Sequence, residues 1–468
     1  MLLLDKNSGE PLYRQVYEQI RQQILREELP AGQRLPATRE LAGEYGLSRN
    51  TVIRAYRQLE LEGYLRAAEG SGHYVENLSS FRAEYAVKPV TYPDVPKPEA
   101  AKSWKYSFEW TALDSVIYRS SIWRRSLLDA SDRLGARTTA SYAQVQGDPE
   151  LRRALTSYLH RVRGVICEPE QIIITCGHHA SLRMLAEMFG GSGRDFAMED
   201  PGYNVTRRIM EQQGFDVHPV PVEKDGISLR VVSELPRCLL YITPSHQFPM
   251  GCTLPISKRL ALLEWADRTD SYLIEDDYDS ELRYYGSPIP SVQSVDPVGR
   301  TIYLGSFSRT LSPDLRMAYM VLPPALAERW QECCGSFYGD VPSLLQLTVA
   351  KLIEDGDYQR QLHAIRTQFK RKHDLICSRV QDRLGDRAEL LGKGAGLHLI
   401  LRLRTEQSQE HLVKALAARS INVCPTEPFW IHREFVPYAD LILGFGGIRL
   451  GHLSAGLDAL TETLLEVM

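Results

Sequence analysis

A row of apolar residues spaced four apart dominates the start of the chain. Leu12, Val16, Ile20 and Ile24 fall on one face, with arginine and glutamine between them. This spacing is typical of an amphipathic helix, and it predicts a helix over 11–29 that buries that face.

Two shorter helical patterns follow a break that is rich in proline and glycine. The first runs over 38–45, with Thr38 as the expected cap of its start, and Gly46 ends it. The second begins after Ser48, another natural cap. Its expected buried stripe consists of Val52, Tyr56 and Leu59. Two helices joined by a tight glycine-containing turn predict a helix-turn-helix.

Polar residues at the leading end of the second helix, followed by a wing, complete the pattern. Two short strands around a glycine-rich tip at 70–72 predict the wing. Five arginines and two glutamates lie between positions 34 and 57, which leaves a local charge of +3 in a chain of net charge −4. Such a patch can orient a helix whose arginine and asparagine reach base edges. We therefore expect a DNA-binding domain over 1–77; a small helical domain with solvated arginines is the alternative.

The remainder of the chain has a different pattern. Prolines and scattered charges over 78–105 predict a semi-extended linker. Over 106–468, strand-like apolar runs alternate with amphipathic helical stretches, which predicts an α/β domain with a mostly parallel sheet covered by helices. Examples of the apolar runs lie at 171–175, 238–242, 272–275 and 301–304.

Composition narrows the class of protein further. No run of 18 apolar residues occurs, so no membrane span is predicted. The eight cysteines form no C-x-x-C pair and show no metal-ligand spacing. We therefore expect buried, reduced thiols in a cytoplasmic protein, and no metal site.

Candidate site residues follow the predicted strands, where ligands bind in open α/β folds. They lie in five loops, at 175–180, 199–203, 243–251, 275–281 and 305–316. Any one of these loops is weak support, because acidic clusters and serine-rich turns are usually solvated loops or caps. Five of them in this order predict a ligand site.

The amino-terminal segment strongly resembles the GntR type of winged helix. The resemblance is carried by 33–42, 48–52, 62–65 and 70–72. It implies DNA contacts from Arg39, Ser48, Arg49, Asn50, Thr51, Arg54, Gly70, Ser71 and His73.

The five loops, taken with the winged helix, look like the MocR group of GntR regulators. The large domain of that group is similar to fold-type I aminotransferases, which implies a smaller carboxy-terminal α+β subdomain and a homodimer. The resemblance also implies a pyridoxal phosphate site. In it, Asp276 would face the pyridine nitrogen and keep the ring an electron sink, Tyr278 would bond the ring oxygen, and Tyr203 would stack on the ring.

The same resemblance assigns the anionic groups of the ligand. Gly177 and His178, at a helix start, would offer backbone N–H groups to the phosphate, helped by Ser306 and Arg316. Arg449 is placed like the arginine that grips a ligand carboxylate, although an ordinary ion pair is an equal alternative.

One departure from the family pattern bears directly on activity. Arg309 occupies the position of the lysine that forms the Schiff base with the cofactor. A guanidinium keeps its charge and offers no comparable nucleophile, so covalent attachment at residue 309 is excluded and transamination should be absent or very slow. The site then either holds pyridoxal phosphate or its amino-acid adduct non-covalently, with Arg309 on phosphate or carboxylate, or senses another small anion.

Three classes of function remain at this point. The leading expectation is a transcription regulator that binds double-stranded operator DNA and responds to a small-molecule effector. An aminotransferase with an accessory DNA-binding domain is the alternative. A third possibility is an interaction protein that uses an inactive enzyme fold as a dimerisation platform.

Overall fold

The computed structural model describes residues 2–5, 8–68, 71–78, 103–114, 120–137, 144–190, 193–286, 289–335, 339–432 and 436–468. The chain divides into two compact units, Met1–Ala101 and Lys102–Met468. The predicted boundaries at 77 and 105 stay predictions, since 79–102 lies outside the described residues.

The amino-terminal unit is a winged helix-turn-helix. Its elements are α1 (Leu12–Leu25), α2 (Thr38–Glu44), α3 (Arg49–Leu61), β1 (Leu65–Ala68) and β2 (Gly72–Val75). The four-residue spacing of α1 buries Val16, Ile20 and Ile24 against the stripe that α3 presents. The antiparallel pair β1 and β2 forms the predicted wing.

Local details of this unit differ from the expectations in two places. Ser48 caps α3 as predicted, because its hydroxyl accepts the Thr51 amide at 3.1 Å. Thr38 does not cap α2: the cap position is Ala37, whose amide donates to the Glu40 carboxylate at 2.9 Å. A polar side chain two residues into the helix replaces the expected hydroxyl, so the cap prediction was wrong by one residue.

A third segment of the chain pairs with the two strands of the wing. The Gly32 amide donates to the Val75 carbonyl, and the Leu35 amide to the His73 carbonyl, both at 2.9 Å. The chain between α1 and α2 therefore runs beside β2 and fixes the wing to the helical core.

The large unit is built on an eight-stranded sheet within the described residues, with spatial order β4-β11-β10-β9-β8-β5-β6-β7. The pairs joining β5, β6, β8, β9 and β10 are parallel, whereas β11 runs antiparallel to both neighbours. The mostly parallel sheet is thus confirmed. Its strands, preceded in the chain by β3 (Tyr106–Ser107), are β4 (Ile172–Thr175), β5 (Arg194–Asp200), β6 (Phe215–Glu223), β7 (Gly226–Ile227), β8 (Leu239–Ile242), β9 (Tyr272–Asp277), β10 (Thr301–Ser306) and β11 (Ala318–Val321).

Helices pack on this sheet because its strands are apolar on both faces. The first of them are α4 (Ser121–Gly135), α5 (Pro149–Arg163), α6 (His178–Phe189), α7 (Asn204–Gln212), α8 (Leu229–Val232), α9 (Ile256–Arg268), α10 (Pro324–Cys334) and α11 (Ser343–Glu354). The strands β4, β5, β8, β9 and β10 end in the five loops singled out in the sequence, so those loops gather at one edge of the sheet.

A smaller α+β subdomain follows, as expected. Its four-stranded sheet has the order β12-β13-β16-β15, and it packs in one apolar core with the long helix α12 and the final helix α14. Its elements are α12 (Asp357–Leu384), β12 (Ala388–Leu391), β13 (His398–Leu403), α13 (Gln409–Ala418), β14 (Ile421–Asn422), β15 (Cys424–Pro425), β16 (Ala439–Gly444) and α14 (Leu450–Val467). The short strand β3 joins this subdomain by pairing with β14.

Two composition-based expectations can be compared with the structure. No helix among the described residues is long and apolar enough to cross a membrane. All eight cysteines are free, but only Cys238 and Cys334 are buried; Cys176 and Cys333 are exposed, and the other four are half-buried.

Candidate functional site

The leading end of α3 presents its polar residues to solvent. Arg49 and Asn50 are exposed, as is Arg39 on α2, while Thr51 is half-buried. The Ser48 hydroxyl lies 2.8 Å from the Thr51 hydroxyl, so both of these predicted contact residues also close the start of α3. Arg49 and Asn50 are thus the exposed residues of the first turn of α3.

Other predicted DNA contacts are held by neighbouring rings. The Arg54 guanidinium lies 4.2 Å from the centre of the Tyr13 ring, and the His73 ring packs edge-on against Tyr56 at 5.1 Å. Ser71 is half-buried beside Tyr74. Gly70 lies outside the described residues, so the tip of the wing is defined on one side only.

A cavity of about 210 Å³ lies at the carboxyl edge of the large sheet. A larger cavity, of about 420 Å³, lies where β5, β8 and β9 begin, and contains none of the predicted residues. We place the ligand site in the smaller cavity because it gathers the predicted polar groups. It is lined by Trp110, Thr111, His178, His179, Tyr203, Thr243, Phe248, Asp276, Tyr278, Ser306, Ser308, Arg309, Pro313 and Arg316.

Asp276 is the buried carboxylate of this cavity. It accepts a short hydrogen bond from the Tyr241 hydroxyl, and its Oδ2 lies 3.5 Å from His178 Nε2. Burial raises the pKa of Asp276, while the neighbouring His178 lowers it. The sequence predicted only backbone donation from His178, whereas its imidazole also contacts the carboxylate.

The side of the cavity predicted to bind phosphate is formed by the start of α6 and the loop after β10. Gly177, the cap residue of α6, has φ +84°, and a Cβ there would come within 2.6 Å of Arg316 Nη2. The absence of a side chain therefore lets the Arg316 guanidinium approach the start of the helix. Ser306 Oγ accepts the Ser308 amide at 3.1 Å and completes this group of donors.

Arg309 lies in the loop that follows β10 and lines the cavity. Its Nη1 donates to the Trp110 carbonyl at 2.7 Å, and its guanidinium lies 5.2 Å from the centre of the Trp110 ring. Burial lowers the pKa of Arg309, which the nearby Asp279 and Tyr278 oppose. No lysine is among the described residues that line the cavity.

Aromatic rings form the remaining wall. His179 Nε2 lies 3.2 Å from the Tyr203 hydroxyl, and the two rings stack at 6.3 Å. The Trp110 ring packs against Phe248 at 4.7 Å and meets Tyr203 edge-on. Tyr203 is therefore placed to cover a flat ring in the cavity.

Two observations were not expected from the sequence. His246, Asp279 and His398 form a buried group behind Tyr278, with ligand-type atoms within 4.8 Å of one another. No local sequence motif indicates this group, because the three residues lie on separate loops and strands. Arg449 stands at the start of α14, exposed and outside the cavity lining. Its role in carboxylate binding stays a prediction.

These residues fit the ring and phosphate of pyridoxal phosphate but not its covalent attachment. The buried Asp276 and the aromatic wall suit a pyridine ring, and the side-chain-free Gly177 lets the Arg316 guanidinium lie beside the start of α6, where both can face an anion. Position 309 supplies a guanidinium in place of an amine.

Two family models match the chain. Residues 12–75 match the model for bacterial regulatory proteins of the gntR family, and residues 116–436 match aminotransferase class I and II. The probable rhizopine catabolism regulatory protein MocR of Rhizobium meliloti is 34% identical, over 100% of this chain and 96% of MocR. The chain belongs to the MocR-type group of GntR-family transcription regulators.

Further similarities agree with this MocR-type membership. The pyridoxine biosynthesis transcriptional regulator PdxR of Corynebacterium glutamicum is 33% identical, over 89% of this chain and 88% of PdxR. Among solved structures, an archaeal alanine:glyoxylate aminotransferase superposes with a TM-score of 0.70 at 22% identity, over 79% of this chain and 92% of the enzyme. The amino-terminal unit is thus the DNA-binding domain of a regulator, and the large unit has the aminotransferase fold.

Proposed function

We propose that this protein is a transcription regulator whose large unit senses a phosphorylated pyridine ligand, pyridoxal phosphate or its amino-acid adduct, without covalent attachment. The observation that carries the proposal is one cavity that combines the start of α6, a buried carboxylate and the two arginines Arg309 and Arg316, with no lysine among its described lining residues. Such a set of groups binds and orients a ligand, but it lacks the amine that catalysis would need.

Different residues of the cavity bind different parts of the ligand. The amides at the start of α6 and the side chains of Ser306 and Arg316 hold the phosphate. Asp276 holds the protonated ring nitrogen, and Tyr203 covers the ring. When bound, pyridoxal phosphate supplies an aldehyde and an electron-withdrawing ring, and Arg309 cannot attack that aldehyde.

Arg309 instead gives the cavity a second cation beside Arg316. A ligand with two anionic groups, such as a phosphate and an amino-acid carboxylate, matches this pair of charges better than a ligand with one. The relative PdxR is a regulator of pyridoxine biosynthesis, which supports a pyridoxine-derived ligand here. A different small anion is the remaining alternative for the same cations.

The winged helix delivers the response to DNA. We propose that Arg39, Arg49 and Asn50 contact the operator, with Ser71 and His73 of the wing beside them, and that the protein acts as a homodimer. Ligand binding in the large unit would then alter which half-site spacings two winged helices fit. Analytical ultracentrifugation with and without ligand tests the dimer directly.

Calorimetry combined with intact mass tests the ligand proposal. The purified protein is titrated with pyridoxal phosphate and, separately, with inorganic phosphate, and then treated with borohydride. We expect saturable binding of pyridoxal phosphate, a rise in melting temperature and no mass increment at residue 309. A failure to bind pyridoxal phosphate, or a stoichiometric mass increment on the peptide that contains residue 309, would contradict the proposal.

A gel shift and an amino-transfer assay separate regulator from enzyme. DNA flanking the protein's own gene should form a specific complex at moderate salt, altered by the ligand. Rapid exchange of an amino group between amino acid and keto acid, without a specific DNA complex, would favour the aminotransferase alternative.

A further inference from the structure

Behind the cavity, His246 contacts two groups through a single nitrogen. Its Nδ1 lies 2.9 Å from Asp279 Oδ2 and 3.1 Å from the Tyr278 hydroxyl. The side chains of His246 and Asp279 are 1% and 2% exposed, whereas Tyr278 lines the cavity. Of the two groups that His246 Nδ1 contacts, Tyr278 is therefore the one that lines the ligand cavity.

The chemistry of these groups fixes the proton on His246. A carboxylate only accepts hydrogen bonds, so the contact with Asp279 requires a proton on Nδ1. An Nδ1 that carries a proton has no lone pair to accept from the Tyr278 hydroxyl. The phenolic oxygen then shares the Nδ1–H as an acceptor, and its own O–H must donate elsewhere, toward the cavity.

The surroundings of His246 hold this arrangement in place. Its Nε2 is buried, with no partner among the described residues. Across the group, His398 Nε2 donates to the Pro249 carbonyl at 3.0 Å, and burial, with the neighbouring His246 acting in the same direction, lowers the pKa of His398 to about 3. His398 is therefore neutral. Among the described residues, His246 Nδ1 is the one group within hydrogen-bond distance of the Tyr278 hydroxyl, so the O–H has no acceptor on that side.

We propose that Asp279 and His246 are positioning residues that make Tyr278 an obligatory hydrogen-bond donor into the cavity. The site then selects a ligand that presents an oxygen acceptor at this point, such as the ring oxygen of a 3-hydroxypyridine, over one without it. This inference rests on the proposed function for the identity of the ligand, but the direction of the hydroxyl depends only on Asp279 and His246.

A double-mutant cycle measures the coupling between Asp279 and Tyr278. The probes are pyridoxine 5′-phosphate, which has the ring oxygen and no aldehyde, and its 3-deoxy analogue. Tyr278→Phe and Asp279→Ala should each weaken pyridoxine phosphate about ten- to a hundredfold, the range for one hydrogen bond to a charged group. The double variant should lose no more affinity for pyridoxine phosphate than either single variant. The affinity for the 3-deoxy analogue should be the same in all four proteins. Additive losses, or equal losses for both probes, would overturn the proposal.

The protonation of His246 is tested without any ligand. In protein labelled with ¹⁵N-histidine, the His246 signal, identified by its loss in His246→Gln, should show the proton on Nδ1. Asp279→Ala should move that proton to Nε2. An Nε2–H tautomer in the unsubstituted protein, or stoichiometric zinc bound to the purified chain, would overturn the proposal even if Asp279→Ala fails to fold. Failure of pyridoxine phosphate to bind, with the Nδ1–H tautomer present, would instead count against the proposed ligand.

Discussion

Arg309 and Trp110 are joined twice, through the 2.7 Å hydrogen bond from Nη1 to the Trp110 carbonyl and through the guanidinium beside the indole ring. The first contact uses the backbone and the second uses the ring, so together they fix both ends of the tryptophan. Trp110 follows β3 closely in the chain. Arginine at position 309 thus ties the segment that follows β3 to the wall of the ligand cavity.

Arg309→Lys should convert the site from non-covalent to covalent binding. A lysine there can lose its proton and attack the aldehyde of pyridoxal phosphate, which a guanidinium does not do. We expect a mass increment on the peptide containing residue 309 after incubation with pyridoxal phosphate and borohydride reduction, absent from the unsubstituted protein.

Arg309→Gln is the matched control, since it removes the charge without adding an amine. It should give no increment and should weaken binding of the phosphorylated ligand. If Arg309→Lys also remains unmodified at saturating cofactor, the cavity does not hold the aldehyde near position 309, and the assignment of the ring site is wrong.

The cavity shows what the sequence can and cannot predict. The loops were identified because each follows a strand-like run, and parallel strands bring their carboxyl ends to one edge. The bond from Arg309 to Trp110 spans 199 positions and uses a backbone carbonyl, so no pattern in the sequence marks it. The contact between His246 and Asp279, 33 positions apart, was missed for the same reason.

Gly177→Ala tests the phosphate side of the cavity. A Cβ at this position would meet Arg316 Nη2 at 2.6 Å and would also strain a backbone with φ +84°. The guanidinium must move away from the start of α6, so we expect the affinity for pyridoxal phosphate to fall at least tenfold, about 1.4 kcal/mol. Calorimetric titration measures the change.

Gly193→Ala separates the strain from the displacement of Arg316. Gly193 has a similar φ of +70°, and a Cβ there would meet nothing within 4 Å. Both variants should lose about 1–2 kcal/mol of stability from the left-handed backbone. Equal ligand affinity in the two variants would show that Arg316 does not hold the phosphate.

The winged helix also contains some features that the sequence predicts and others that it does not. The helices, the Ser48 cap and the wing strands follow from local spacing and turn chemistry, which a single sequence displays. The pairing of the segment before α2 with β2 could not be predicted from local patterns. The backbone amides of Gly32 and Leu35 donate to carbonyls of β2, which lie more than 35 residues later in the chain.

Arg49→Ala should reduce specific DNA binding. Arg49 is exposed at the leading end of α3, where a guanidinium can contact a base edge or phosphate. We expect a loss of about 1–3 kcal/mol for the specific fragment, measured by fluorescence anisotropy at fixed salt. Arg268→Ala, which removes an exposed arginine from α9 of the large unit, should leave binding unchanged. Equal losses in both variants would indicate a general charge effect.

Glu199 should make the stability of the large unit depend on pH. It is buried, and its Oε2 accepts the Thr243 amide at 3.0 Å and the Thr243 hydroxyl at 2.6 Å. Burial raises its pKa from an ordinary 4.5 to about 7, so between these values the folded protein holds a proton that the unfolded chain releases. The stabilisation is complete below pH 4.5 and is lost as the pH rises through 7.

Glu199→Gln does not titrate and keeps an acceptor for Thr243. Relative to the unsubstituted protein, it should gain stability between pH 5 and pH 8, by an amount on the order of 2–3 kcal/mol. Glu275 and Glu281, whose pKa values burial also raises to about 7, titrate in both proteins and cancel in the comparison. All six tryptophans lie between positions 104 and 430, so their fluorescence during urea denaturation follows the large unit. The exposed control Glu264→Gln should show no such gain. If the difference in stability between Glu199→Gln and the unsubstituted protein stays constant with pH, Glu199 is ionised throughout this range.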